Sequence, residues 1–160
     1  RADCENIKIR LFPLNMTEFC QDLVEEFKMG LGKDHLLNLA VHSDCSAPVQ
    51  LDEKLLKPIL SNLISNAIKY SPAHSPVNID INCQKERIQF EVSDRGIGIV
   101  PEDYENVFES FQRGRNVGKI PGTGLGLNIV KRYVELQGGA IAFTSQIGVG
   151  TKFTVILPHF

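Results

Sequence analysis

The fold class predicted for this 160-residue chain is an α/β two-layer sandwich, with a mixed, mostly antiparallel sheet and helices on one face. Three observations predict it. A long amphipathic helical segment occupies residues 52–70, two hairpin-like pairs of alternating segments follow it, and further helical stretches separate the strands. At 42% hydrophobic residues the chain can bury one sizeable core, so residues 1–160 read as a single domain.

In chain order, residues 7–12 alternate apolar and polar side chains as a half-buried strand does. Thr17 is the expected cap of the next helix, with Gln21 close to the capping-box position. Phe19, Cys20, Leu23, Val24 and Phe27 carry that helix until Gly30 and Gly32 stop it. Residues 36–41 read as a short strand. From 52 to 70 the pairs Leu55-Leu56, Ile59-Leu60, Leu63-Ile64 and Ala67-Ile68 recur at helical spacing and form one broad apolar face. Pro58 inside this segment removes a backbone hydrogen bond and is expected to kink or split the helix.

Residues 77–83 and 88–92 alternate with period two around a polar Gln84–Arg87 loop, a hairpin. Pro101 opens a short helix through Val107. Residues 111–122 carry Gly114, Gly118, Pro121 and Gly122 with scattered charge and read as a flexible loop. A helix over 125–137 ends at Gly138-Gly139. Segments 140–145 and 151–157 complete the sheet.

Charged residues make up 22% of the chain and the formal net charge is −2, so no basic excess points to nucleic acid. No apolar run is long enough to span a bilayer and no signal-peptide pattern is present. Cys4, Cys20, Cys45 and Cys83 lie far apart without metal-ligand spacing, and read as thiols in a reducing compartment rather than a disulfide frame or zinc site. His35, His42, His74 and His159 form no paired pattern and read as surface or core residues. The expected location is cytoplasmic, with a parent protein that could be membrane-anchored. The opening Arg1-Ala2-Asp3, without Met, reads as that of a fragment.

Four patches carry chemistry. Asn62 and Asn66 lie four apart on one flank of the long helix, followed by Lys69 and Tyr70 on nearly the same stripe. An amide oxygen is a hard ligand that suits Mg²⁺, Lys69 offers a point charge to phosphates, and Tyr70 offers a ring beside a base. Alone, these residues suit a solvated polar flank, with a Lys and a half-buried Tyr, better than a ligand site. Asp94 closes a strand before Arg95-Gly96-Ile97-Gly98-Ile99. A carboxylate there can accept from an exocyclic amine, and glycines let backbone approach a flat ring, although a plain Asx turn looks the same. Pro101 stands where a dinucleotide fingerprint needs its third glycine.

Gly122, Thr123, Gly124, Leu125 and Gly126 open a helix whose unpaired N–H groups and dipole suit phosphate. The preceding loop, with Arg113, Arg115 and Lys119, could close as a lid over about 108–124, and a glycine-rich surface loop is the plain alternative. Gly114-Arg-Asn-Val-Gly118-Lys119-Ile120 is one residue short of a Walker loop. Phe108 and Phe111 read as core anchors. Gly148-Val149-Gly150-Thr151 is a hairpin turn in which Thr151 offers a hydroxyl to the adenine side of the pocket.

In this order and spacing, from about Ile7 to Leu157, the patches resemble the ATP-binding catalytic domain of bacterial sensor histidine kinases, in the wider GHKL ATPase family. The run to Tyr70 is similar to the family's N box, Asp94–Gly98 to its first glycine box and Phe108-Glu-Ser-Phe111 to its F box. Gly122–Gly126 and Gly148–Thr151 are similar to the second and third glycine boxes.

The resemblance implies ATP held between the long helix and a lid. Mg²⁺ would be ligated by Asn66, the adenine amine read by Asp94, and the ring framed by Gly96, Gly98 and Ile99. Tyr70 would lie near the base, and Lys69, Arg113 and the Gly124–Gly126 backbone would hold phosphates. Related ATPase clamps carry Glu at the equivalent of Asn62, and an amide cannot act as a general base, which favours transfer over hydrolysis.

Two residues depart from the family's pattern: Ser110 stands where Arg is common, and Pro58 replaces a helix-compatible residue. The implied partners are a phosphoacceptor His on a dimerisation domain outside this segment and a response-regulator receiver domain. An isolated monomer and a homodimeric parent are expected. A serine kinase of the anti-sigma type and a non-catalytic nucleotide-sensing module are the alternatives.

Overall fold

The computed structural model describes residues 8–42, 45, 47–109 and 126–159. The elements run β1 (Phe12–Leu14), α1 (Met16–Lys28), β2 (Leu36–His42), β3 (Val49–Leu51), α2 (Glu53–Lys69), β4 (Pro76–Cys83) and β5 (Arg87–Asp94). A 3₁₀ helix (Pro101–Asn106), α3 (Gly126–Leu136), β6 (Ala140–Gln146) and β7 (Gly150–Pro158) complete them. The main sheet has the order β2-β4-β5-β7-β6. Among the described residues β2 and β4 pair in parallel, and the other pairs of this sheet are antiparallel. The expected class, a mixed and mostly antiparallel sheet beneath helices, is what forms.

One sheet face is apolar. Val77, Ile79 and Ile81 of β4, Ile88, Phe90 and Val92 of β5, and Phe153, Val155 and Leu157 of β7 are buried there. They share a single core with Met16, Cys20, Leu23 and Val24 of α1, Val130 and Val134 of α3, and the apolar side of α2. The alternate residues, such as Asn78, Asp80, Gln89 and Glu91, face the open side, as period-two geometry demands. His42 pairs there with Asp80 at 2.9 Å. Among the described residues no helix is long and apolar enough to cross a membrane.

Several local expectations are corrected. The strand expected over 7–12 lies instead at Phe12–Leu14, where β3 pairs Phe12 with Leu51 and Leu14 with Val49. β3 itself has three residues, too few to show a period. Helix α1 begins at Met16, capped by Asn15, whose side chain accepts from the Glu18 N–H at 2.9 Å, and not by Thr17. Met16 is fully buried, and the earlier start brings it onto the core.

Pro58 does not split α2, which runs unbroken over 17 residues. Eight apolar residues of α2 are buried, each Leu or Ile contributing about 1.5–3 kcal/mol, against about 3 kcal/mol for a helix-interior proline. Pro58 also sits beside exposed Lys54 and Lys57, where water can reach the carbonyl it leaves unpaired. Asp52 caps α2, accepting from the Lys54 N–H at 3.0 Å and the Arg10 N–H at 2.9 Å.

The cysteine reading is also corrected. Cys45 and Cys83 are joined in a disulfide across 38 residues, with Cα atoms 5.3 Å apart. Sequence spacing gives no sign of it, because the β2–β3 connection brings Cys45 to the end of β4 only in the folded chain.

Candidate nucleotide site

Helix α2 ends where β5 ends. The Tyr70 carbonyl, just past α2, accepts the Ile97 N–H at 3.1 Å, so the helix C-terminus is tied to the loop that leaves β5. Gly96 packs so tightly against that carbonyl that a Cβ would overlap the Tyr70 oxygen, and it would stand 2.9 Å from Asp94 Oδ1. The C-terminal end of the helix that bears Asn62 and Asn66 and the strand-end carboxylate therefore meet at one corner of the sandwich.

Asp94 is half-buried. Its carboxylate accepts the Gly96 N–H at 2.8 Å and a backbone hydrogen bond from Thr151, its register partner on β7. Burial pushes its carboxyl up to about 6, and the two N–H donors pull in the opposite direction without cancelling that cost. A carboxylate kept part-desolvated at a loop corner is a strong acceptor for an incoming donor.

The β6–β7 turn closes the other side of the loop. Gly148 N–H donates to the Ile97 carbonyl at 2.9 Å, and the Ile99 N–H donates to Ser145 Oγ at 2.8 Å. Ser145 Oγ also lies 2.8 Å from Thr151 Oγ1 and 3.2 Å from the Gly150 carbonyl. Gly98 has φ +75°, and its Cβ position is filled by the Gln146 carbonyl, so only glycine fits. Ser145 is a hub that sequence reading missed. It sits in an ordinary alternating strand, and only strand pairing shows what its hydroxyl joins.

On α2, the Asn62 amide nitrogen donates to the Pro58 carbonyl at 2.7 Å, which turns its oxygen toward Gly126, the first residue of α3. A Cβ on Gly126 would stand 2.8 Å from Asn62 Oδ1. Asn66 is half-buried, and its side-chain amide makes no hydrogen bond among the described residues. Lys69 is exposed in the last turn of α2, where its charge suits the helix dipole. Phe108 packs edge-on against Phe143 and Phe153, an anchor as expected, with centroids at 6.0 and 6.1 Å. Arg113, Gly122, Thr123, Gly124 and Leu125 lie outside the described residues, as do Ser110 and Phe111.

The structure thus brings together Tyr70, Asp94, Gly96, Gly98, Ile99 and Thr151 around the α2–β5 corner, and sets Asn62 beside Gly126 further back along α2, with Asn66 on the helix between them. A family model described as histidine kinase-, DNA gyrase B-, and HSP90-like ATPase matches residues 51–160. The chain belongs to that family.

Within this ATPase family the chain is similar to named kinases. The sensor-like histidine kinase SenX3 of Mycobacterium tuberculosis is 40% identical over 150 residues, covering 90% of this chain and 37% of SenX3. Sensor histidine kinase WalK of Bacillus subtilis is 36% identical over 150 residues, covering 91% and 24%. The chain therefore spans well under half the length of either relative. Among solved structures, the mycobacterial sensor histidine kinase MprB matches with a TM-score of 0.79 at 29% identity, over 92% of this chain and 98% of that one. Full-length ShkA, solved in complex with AMPPNP, matches with a TM-score of 0.81 at 27% identity, over 96% and 32%.

Proposed function

We propose that this chain is the ATP-binding catalytic unit of a sensor histidine kinase, which positions ATP so that its γ-phosphoryl group passes to a His on a separate domain of the same protein. The observation that supports this reading is the Tyr70–Ile97 tie, which holds the C-terminal end of α2, the helix that bears Asn62 and Asn66, to the Asp94 loop. The adenine amine donates to the Asp94 carboxylate, while Gly96, Gly98 and Ile99 present backbone to the ring. Tyr70 packs beside it, and Thr151 lies within reach through the Ser145 hub. The AMPPNP complex of ShkA supports a nucleotide in a fold of this kind.

Asn66 would hold Mg²⁺, which when bound neutralises phosphate charge. The positive end of α3 at Gly126 and the Asn62 oxygen beside it flank the phosphates, with Lys69, Arg113 and the segment 122–125 as further phosphate contacts. The Asn62 amide cannot act as a general base, so the site does not activate water but orients the nucleotide, and transfer depends on the partner presenting its His in line. The acceptor domain and a receiver domain downstream are the proposed partners.

The test is transfer of γ-labelled phosphate from ATP to the parent's His-bearing domain, with acid lability separating phosphohistidine from phosphoserine. Acid-stable label on serine, or hydrolysis without transfer, would overturn the reading. Calorimetric titration in magnesium and in EDTA adds a second check. Wild type should bind Mg-ATP with about 5–8 kcal/mol, and Asn66→Ala should lose the difference between the two conditions.

Ser145→Ala should weaken ATP binding about 3–10-fold, since it leaves the Ile99 N–H unpaired and Thr151 unsupported, while Ser145→Thr should retain most of the affinity. An affinity equal to wild type in Ser145→Ala would remove the hub from the binding site.

A further inference from the structure

The nucleotide corner leaves one covalent feature unexplained, the disulfide at the opposite end of the sheet. Cys83 is in register with Ile88, and Val77 with Asp94, so six residues of β4, about 20 Å, separate the cross-link from the nucleotide corner. The bond closes a 38-residue segment that contains β3, the Asp52 cap and all of α2, the helix bearing Asn62 and Asn66. The two ends of α2 are thus secured by different means: a backbone hydrogen bond at Tyr70 and a covalent link behind Asp52.

The two sulfurs differ in access. Cys45 is 3% exposed, whereas Cys83 is half-buried at the strand end. Cys20, the remaining described cysteine, is free and buried against Met16, and burial pushes its thiol up to about 12, so it is poorly reactive. A chain that uses ATP, on the reading proposed above, works beside thiol buffers, where a disulfide persists only while an oxidant maintains it.

We propose that Cys45 and Cys83 are a reversible redox pair whose oxidant is a low-molecular-weight disulfide, and that its state sets the stability of the α2 segment without altering nucleotide affinity. The Cys83 thiolate attacks one sulfur of the oxidant RSSR, whose S–S bond breaks to release RS⁻, which takes up a proton. The Cys45 thiolate then attacks the Cys83 sulfur of the mixed disulfide and displaces the second RS⁻. Two protein thiols become one disulfide, and one RSSR becomes two RSH. A small dithiol reverses both steps.

The experiment treats the nucleotide-free chain with glutathione disulfide or dithiothreitol, then alkylates it and measures intact mass and melting temperature. Oxidation should protect two thiols, and reduction should lower the melting temperature by about 5–15 °C, as expected for opening a loop of this length. Cys83→Ser should lose both differences, and Cys20→Ser should keep them. Cys83 is the half-exposed partner, so its substitution spares the buried site at Cys45. Equal alkylation after both treatments, or a melting temperature that does not move, would overturn the pair.

ATP titration of both forms should give dissociation constants within about twofold, because the strand register places the cross-link far from Asp94. A tenfold change would overturn the separation of the two effects. Loss of ATP binding in both forms, with the melting shift intact, would instead count against the nucleotide reading alone.

Discussion

Asp94→Ala is expected to bind ATP about 10–150-fold more weakly than wild type, the loss of about 1.5–3 kcal/mol that removing a charged hydrogen-bond acceptor brings. Calorimetry measures it directly, and unchanged affinity would remove Asp94 from the site. The same carboxyl sets a pH dependence. Burial holds it at about 6, so the ionised acceptor is fully present at pH 7.5 and largely protonated at pH 5. Wild-type affinity should fall about tenfold for each pH unit below about 6, and Asp94→Asn should bind weakly and without that slope.

The stability effect has the opposite sign. The folded-state value lies above the ordinary 3.8, so the stability linked to this group is fully present below 3.8 and lost as pH rises through about 6. Asp94→Asn should therefore be more stable than wild type at pH 8, by about 1–3 kcal/mol, and gain little at pH 4. A gain in stability with a loss of binding is the signature of a residue kept for its ligand.

Gly96→Ala has the second large effect. Its methyl group would enter the space of the Tyr70 carbonyl and approach Asp94 Oδ1, so the end of α2 and the β5 loop must separate. The expected cost is about 3 kcal/mol, or about 6–12 °C in melting temperature, together with a loss of ATP affinity as the two halves of the corner part. Gly148→Ala is the control. Nothing lies within 4 Å of its Cβ position, so it meets only the strain of φ +76°, about 1–2 kcal/mol. Equal destabilisation by the two substitutions would show that the contact at Tyr70 does not hold the corner together.

Legibility in the sequence followed the range of the interactions. Helix α2 was plain because eight buried residues repeat within 17, a period that tertiary contacts only reinforce. The hairpin at Gln84–Arg87 and the stop at Gly138-Gly139 were equally local, and both form as expected. What was misread depended on partners distant in the chain. Residues 7–12 have the pattern of a strand, but of the described residues 8–12 only Phe12 pairs, whereas Val49–Leu51 has almost no pattern and is a strand because β1 lies beside it. Pro58 is tolerated because the packing of α2 outweighs one missing hydrogen bond.

By itself, the sequence determined the α/β class and the main helices and hairpins, and it singled out the candidate residues of the α2–β5 corner, since residue type and short spacing are local properties. Only the tertiary structure decided that Tyr70 closes on Ile97, that Ser145 joins Ile99 to Thr151, and that Cys45 meets Cys83. Each of these depends on distance and burial between segments far apart in the chain, and those quantities exist only once the sheet and helices have packed.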